Sequence, residues 1–315
     1  MDACAPIAIF AYNRPQHLQA TLQSLSECAE WCGSRVILYS DGPRQPSDAA
    51  AVAAVREVAK SIDHPFLEVV EREDNLGLAQ SIIRGVSEVC ERFGRAIVVE
   101  DDLLVSEGFL GYLNRALNAY AKRADIFQVS AHMFDVPEFA ERRATLLLPM
   151  TTTWGWATWR RAWRHFAPDA PGWERLRADG ACRKRFNLEN HYNYYSMLQQ
   201  QMTGKRDSWG IRWYWTVFAA DGLSCFPPRS LVRNTGMDGS GTHGRGALRR
   251  FGSSDIGLPD FDIEVPTDAH RCSDWEFSAV QRAIWRKNGG WRGWVADLAK
   301  TVIGRIQAAV TSTRA

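Results

Sequence analysis

Ala96-Ile97-Val98-Val99 is an apolar, largely β-branched run with no polar alternation, and Glu100-Asp101-Asp102 follows it directly. Such a run fits a strand covered on both faces, as in a parallel sheet flanked by helices. The three acids then fall where that strand leaves the sheet at its carboxyl edge, where open α/β sheets bind ligands. Crowding three carboxylates is costly unless a cation neutralises them or some bind donors elsewhere. An all-oxygen set suits a hard divalent ion, Mg²⁺ or Mn²⁺, that keeps several waters and bridges to a phosphate. An acidic turn ahead of a helix is the other reading of an isolated Glu-Asp-Asp. The rest of the chain bears on the choice.

Upstream, the same strand-then-helix unit repeats. Pro6 to Tyr12 reads as a buried strand closed by Asn13-Arg14-Pro15, and Leu18, Leu22 and Leu25 put a helix over His17–Cys28, with Pro15 in its first turn. Arg35–Ser40 is a strand closed by Asp41-Gly42-Pro43, Ala49–Lys60 a helix, and Phe66–Val70 a third strand. Asn75-Leu76-Gly77 opens a helix through Cys90 with Ile82, Ile83 and Val86 on one face. This alternation over about a hundred residues indicates a doubly wound parallel sheet. Arg14 lies between a strand edge and a helix N-terminus, where anions bind; a solvated turn residue is its other reading. Asp41 suits a nucleobase or ribose contact, or simply an Asp-Gly turn.

The 315 residues carry 38 Lys and Arg against 36 Asp and Glu, a balance that gives no argument for a global polyanion partner, and no nucleic acid is expected. Seven cysteines at irregular spacing give no disulfide framework and no zinc site, which points to a reduced, cytoplasmic setting. No leader pattern or membrane-length apolar run is apparent, so a soluble or peripheral protein is expected.

Beyond Ala124, Ile126–Ser130 and Thr145–Leu148 read as further strands. Trp154, Trp156, Trp159 and Trp163 then crowd together, with Trp209, Trp213 and Trp215 later. Most of these indoles are expected in the core and one or two against a sugar face; Gly155 between two rings signals a close backbone approach. Arg177–Gly204 reads as helical, leading to Asp207 among tryptophans and between Arg206 and Arg212. Burial there would raise the carboxyl's pKa and the arginines would lower it. It is the candidate base, or else half of a structural salt bridge. Phe226 to Gly246 is glycine-rich and reads as a mobile loop carrying His243. From Asp274 the chain looks like one or two helices, and the face of Trp291, Trp294, Leu298, Val302 and Ile306 beside basic residues suits peripheral contact with an anionic membrane, or packing on the main domain or another subunit. Oligomeric state is not legible.

In this order of motifs the chain resembles nucleotide-sugar glycosyltransferases of the GT-A fold, and among them N-acetylglucosaminyltransferase I and its bacterial relatives. The shared points are the basic residue after the first strand (Arg14), Asp41-Gly42 after the second, and Glu100-Asp101-Asp102-Leu103 after the fourth. The resemblance implies an α/β GT-A (Rossmann-like) fold with a mixed, mostly parallel sheet flanked by helices and a C-terminal helical tail. Residues 1–123 would be the nucleotide-binding half, 124–260 the acceptor-binding, catalytic half, and 261–315 the tail. It implies a metal-dependent inverting transferase, acting in polysaccharide biosynthesis, that moves a sugar from a nucleotide-diphosphate sugar, a UDP-sugar, to a hydroxyl of a glycan or glycolipid.

The resemblance also implies roles. Asp102 binds Mn²⁺ (or Mg²⁺), Asp101 faces the ribose or the metal's water shell, Glu100 the donor sugar, and Asp41 the base. Arg14 and Trp156 join the donor side, Trp156 because related enzymes carry a comparable Gly-Trp beside the donor; Asn75 and Arg212 are further donor-side candidates in this chain. A Pro-x-x-Ser…Gly…Ser-His-Gly element orders over the donor in relatives; His243 in the matching loop would ligate the metal or bond a phosphate, or is simply exposed. Relatives carry Asp-Asp-Trp with the second acid as base; here Asp207-Ser208-Trp209 sets the acid one position earlier. Two other classes stay open. A sugar-nucleotide nucleotidyltransferase would want a glycine-rich phosphate loop where Tyr12-Asn13-Arg14-Pro15 stands, and a non-catalytic sugar-binding protein would keep the tryptophans without needing the acids.

Overall fold

The computed structural model describes residues 4–236 and 262–289. Its first half follows the apolar pattern closely. Strands β1 (Ile7–Ala11), β2 (Val36–Ser40), β3 (Leu67–Glu71) and β4 (Arg95–Glu100) alternate with helices α1 (Pro15–Ser26), α2 (Ala49–Lys60) and α3 (Gly77–Phe93). They pair in parallel in the order β3-β2-β1-β4. Ala96 to Val99 are buried on both faces. At roughly 1.5–3 kcal/mol per fully buried Val or Ile side chain, that burial fixes β4 at the centre of the sheet. Ala79, Ile82, Val86 and Val89 line the buried face of α3, at helical spacing.

The second half departs from a purely parallel sheet. After β5 (Leu103–Val105) and α4 (Phe109–Ala119) come β6 (Ile126–Ser130), β7 (Leu146–Leu148) and β8 (Trp156–Trp159). The short helices α5 (Arg160–Trp163), α6 (Arg175–Ala178), α7 (Gly180–Phe186) and α8 (Tyr194–Met202) lead to α9 (Trp209–Ala219). Strands β9 (Leu223–Phe226) and β10 (Val232–Asn234) and helix α10 (Asp274–Lys287) complete the described chain. One eight-stranded sheet results, ordered β3-β2-β1-β4-β8-β6-β9-β7, so it runs continuously across residues 123 and 124. Here β8 is antiparallel to β4 and β6, and β7 is antiparallel to β9, giving a mixed, largely parallel sheet.

Three local features differ from expectation. The tryptophan segment forms a central strand, β8, whose burial on both faces hides the alternation of a half-exposed strand. Residues 177–204 do not form one helix. Asp179 turns extended and accepts from Cys182 N at 2.9 Å to start α7, while Leu188, Glu189 and Asn190 take positive φ of 51°, 55° and 67° before Asn193 caps α8. A left-handed run of that kind cannot continue a right-handed helix. The short strand β5 pairs antiparallel with β10 in a separate two-stranded ribbon. It follows the acids directly, and no periodic pattern marks it.

Two apolar clusters hold the layers together. One surrounds β1, β4 and β8 and includes Trp156, Trp163, Trp209 and Trp213; the other joins Phe186, Tyr214, Trp215 and Phe226 to Ala279, Val280, Ala283 and Ile284 of α10. Among the described residues, no helix is long and apolar enough to cross a membrane. The segment with the amphipathic face Trp291 to Ile306 lies outside the described residues.

Candidate active site

The carboxyl ends of β1 and β4 are adjacent, and this brings Arg14 to the acids. Asp101 N donates to Phe10 O at 3.0 Å, carrying the chain one residue further along β1. Asp101 is then held by three groups: Thr21 Oγ1 donates to its carbonyl at 2.8 Å, Tyr12 N donates to Oδ2 at 3.3 Å, and Arg14 Nη2 pairs with Oδ1. The same Arg14 nitrogen lies 3.0 Å from Asp102 Oδ2. One guanidinium thus bridges two neighbouring carboxylates, both nearly buried. Burial pushes the Asp101 carboxyl up to about 6, against the opposing pull of Arg14. Burial, then the charges of Asp102 and Asp101, also raise Glu100 above the ordinary carboxylate range. For Arg14, burial works against the charge, and the two carboxylates outweigh it and raise its pKa. Three acids share one described arginine, and the site keeps excess negative charge.

The ribbon of β5 and β10 closes over Asp102 from the other side. Thr235 donates to the Asp102 carbonyl from N at 2.8 Å and from Oγ1 at 3.0 Å, and Asn234 Nδ2 donates to Oδ1 at 3.3 Å. Gly236 follows so closely that a Cβ there would fall 2.1 Å from Asp102 Oδ2 and 2.7 Å from Arg14 Nη1. The residue has to be glycine for this strap to lie flat on the acids. Of the stretch Phe226 to Gly246, expected as one loop, Asn234-Thr235-Gly236 are partners of Asp102, and residues 237–246 lie outside the described residues. The signal available was Val232-Arg233-Asn234, a short pairing segment ahead of the glycines.

Asp41 ends β2 and points into the start of α3, where its carboxylate accepts from Leu76 N at 3.1 Å and Gly77 N at 3.0 Å, with Arg72 Nη1 at 3.8 Å. Its visible work is to cap α3, although a carboxylate bonded this way still has lone pairs to offer. Asn75 Nδ2 donates to Gly42 O at 2.8 Å, tying the turn after β2 to the segment that enters α3.

Trp156 requires a correction. Its indole is fully buried, stacked on Trp209 at 5.2 Å and 6.1 Å from Trp213, so it is a core residue and has no face toward the crevice. The close approach at Gly155 is real, with φ +60° and a Cβ that would meet the Phe109 ring at 2.8 Å and Val232 Cγ1 at 2.9 Å. The approaching groups are core side chains. The half-buried indole at this edge is Trp154. It packs 4.6 Å from His132, whose Nδ1 lies 3.1 Å from Ser230 Oγ. Burial, helped by the charge of Lys287, holds that imidazole well below the usual histidine range, hence neutral. His132 does not stand out in the sequence, whereas Ser230 is the serine of the Pro-x-x-Ser element.

Asp207 precedes α9, whose N-terminal turn packs at this edge: a Cβ on Gly210 would sit 3.2 Å from Thr153 Cγ2. Asp207 is 69% exposed and 3.4 Å from Arg212 Nη2, whereas Arg212 is buried and also donates to Ser208 O. The burial expected around this acid falls on its partner instead, because Trp209 and Trp213 of α9 pack into the cluster around the sheet and Arg212 lies between them in the helix. Burial lowers the Arg212 pKa and Asp207 partly restores it. His243 lies outside the described residues.

Among solved structures, the chain is similar to the mannosyltransferase PcManGT from Pyrobaculum calidifontis, determined with GDP-Man and Mn²⁺ (14% identity, TM-score 0.36, 50% of this chain and 46% of that one). It is also similar to GalNAc-T7 with UDP, GalNAc and Mn²⁺ (9%, 0.44, 74% and 44%) and to the galactosyltransferase LgtC with donor and acceptor sugar analogues (10%, 0.37, 70% and 72%). The chain therefore spans less than half the length of the first two. No curated protein matches the sequence. The family model for Glycosyl transferase family 2 matches residues 7–193. That match begins at the first residue of β1, passes through the acids after β4 and runs beyond β8, taking in the strands that build this edge; the chain belongs to glycosyl transferase family 2.

Proposed function

We propose that the protein is a metal-dependent, inverting transferase that moves a sugar from a nucleotide-diphosphate donor, a UDP-sugar, to a hydroxyl of a glycan or glycolipid, in the manner suggested by its resemblance to N-acetylglucosaminyltransferase I. The observation that carries this reading is the convergence of Glu100, Asp101 and Asp102 with Arg14 at the carboxyl end of β4. Three carboxylates against one bridging arginine leave an all-oxygen, negatively charged edge, which suits Mn²⁺ or Mg²⁺. Among the described residues no three His, Cys, Asp or Glu side chains form a metal cage; a site of one or two carboxylates completed by water and donor phosphate needs none. Asp102, with His243 from the glycine-rich loop, would hold the ion. When bound, the ion stabilises charge on the departing diphosphate.

The chain's own residues do the rest. Arg14 offers a planar fork to a diphosphate oxygen, Asp101 faces the ribose, and Glu100 orients the donor sugar. Asp41 and Asn75 border the base, between the β2 turn and α3. Trp154, rather than Trp156, offers an indole face to a sugar ring. The acceptor oxygen attacks the anomeric carbon, the bond to the diphosphate oxygen breaks with its electron pair, and Asp207 takes the acceptor's proton as general base. Arg212 holds Asp207 in orientation. In this reading residues 1–123 serve the nucleotide, 124–260 the acceptor, and 261–315 are an added helical segment.

Calorimetric titration with UDP, GDP, CDP and dTDP, each with Mn²⁺ and with a chelator, tests the assignment. Micromolar binding of UDP that requires the ion is expected. Binding that ignores the chelator reduces Glu100-Asp101-Asp102 to a turn, and no binding of any nucleotide leaves a sugar-binding protein as the better account. Peripheral contact with an anionic membrane is proposed for the segment after residue 289, on the strength of its tryptophan and basic face. Flotation with anionic liposomes should be lost on removing residues 289–315; equal flotation of the shortened chain sinks that idea.

A further inference from the structure

The arginine at the acidic edge occupies the oxygen that a cation would need. Arg14 Nη2 sits 3.0 Å from Asp102 Oδ2 while pairing with Asp101 Oδ1, and Gly236 covers both groups from above. The Arg14 side chain is 18% exposed, so this is a largely enclosed contact with weak screening. Asp102 Oδ1 is taken by Asn234 Nδ2 at 3.3 Å. An arginine and a divalent ion cannot both sit against Oδ2 at contact distance, because like charges a few ångströms apart in an enclosed site repel strongly. Asp101 can keep Arg14, since its carboxylate also accepts from Tyr12 N and its carbonyl from Thr21, which fix it on the far side of the guanidinium. The contact that has to break is the one to Asp102.

We propose that Arg14 is a resident counter-cation of the donor site that exchanges with the metal: it holds Asp102 when the site is empty and swings to the donor's diphosphate when the ion takes Asp102. This rests on the reading of Asp102 as metal ligand. The exchange explains why one side chain touches both acids. It spares the empty site the repulsion of adjacent carboxylates, and it couples the two ligands. The ion alone has to displace Arg14 with nothing to receive it, whereas the ion arriving with a nucleoside diphosphate supplies the guanidinium with a new bidentate acceptor. Metal and nucleotide are then positively coupled through this residue, each binding more tightly in the presence of the other.

The test is Mn²⁺ binding to the full chain without nucleotide, followed by the paramagnetic resonance signal of free Mn²⁺ or by calorimetry. Arg14→Ala is expected to bind Mn²⁺ alone at least tenfold more tightly than wild type, and to bind UDP in the presence of Mn²⁺ more weakly. The gain should vanish in the Arg14→Ala, Asp102→Asn double variant, which places it at this carboxylate. Arg14→Gln, which keeps hydrogen bonding without charge, should gain affinity as well, and it carries the test if the alanine variant fails to fold. Arg14→Lys should lie nearer wild type. Equal or weaker Mn²⁺ binding by the folded neutral variants overturns the exchange while leaving the metal site standing, provided wild type binds Mn²⁺ with UDP. If neither wild type nor variant binds Mn²⁺ even with UDP, the metal reading itself falls and the exchange with it.

Discussion

Asp102→Asn is expected to lower sugar transfer at least about 1,000-fold, equivalent to about 4 kcal/mol of transition-state stabilisation, while the metal-free protein melts no lower than wild type. The two halves of this result come from different atoms. The strap is held through the main-chain carbonyl of Asp102, which accepts from Thr235 N and Oγ1, and the substitution leaves that carbonyl in place. What disappears is the charge. Removing one of three crowded carboxylates relieves repulsion in the empty site, whereas the leaving diphosphate loses the residue proposed to hold its counter-ion.

The pH dependence follows with a definite sign. A carboxyl whose folded-state pKa is raised contributes stability that is fully present below its unfolded value and is lost as pH rises through the folded value. Asp101 is raised from 3.8 to about 6 by burial, partly opposed by Arg14 and with Asp102 adding to it. The metal-free wild type should therefore lose stability relative to Asp102→Asn as pH rises from 4 through 6. Melting curves of both proteins in a chelator, together with initial rates in Mn²⁺, check both halves. A variant that keeps a tenth or more of the wild-type rate removes Asp102 from the metal site.

The sequence was most legible where one physical rule governed a whole element. In β1, β2 and β4 the burial of both faces leaves an unbroken apolar run, and α1, α2 and α3 each carry one apolar stripe, so β1 to β4 emerge from pattern alone. The acids were legible because charge directly after such a run is rare. Legibility fails where tertiary packing overrides the pattern. Trp156 to Trp159 form a strand in the middle of the sheet, although aromatic and Thr residues, which favour strands, were the clue that it offered. The break between α7 and α8 depends on three successive left-handed residues, of which only Asn190 has a side chain suited to that conformation.

The site itself was legible by position rather than by contact. Arg14 and Asp101 are 87 residues apart, and Asn234 and Asp102 132 apart. Nothing local in the sequence encodes that one arginine bridges two acids or that Gly236 lies on them. Trp156 shows the reverse failure: a residue type common at sugar sites that here fills the core between β8 and α9.

Asp207→Asn is expected to lower kcat by about 100- to 10,000-fold, the usual worth of a positioned general base, with melting temperature almost unchanged. The small stability effect follows from exposure. At 69% exposure and 3.4 Å from Arg212, this is a surface ion pair on the Asp207 side, worth at most about 1 kcal/mol. Arg212 stays anchored through Nε to Ser208 O, and an asparagine oxygen can still accept from its Nη2. A purely structural role for the pair predicts the opposite combination, a measurable loss of stability and an unaltered kcat. Asp207→Glu separates the alternatives further: a base displaced by one methylene keeps part of the rate. Rates at saturating donor and acceptor, read beside thermal melts of the same samples, decide the matter. If kcat of Asp207→Asn stays within threefold of wild type, Asp207 only orients Arg212, and the proton goes to another acid at the mouth of the crevice.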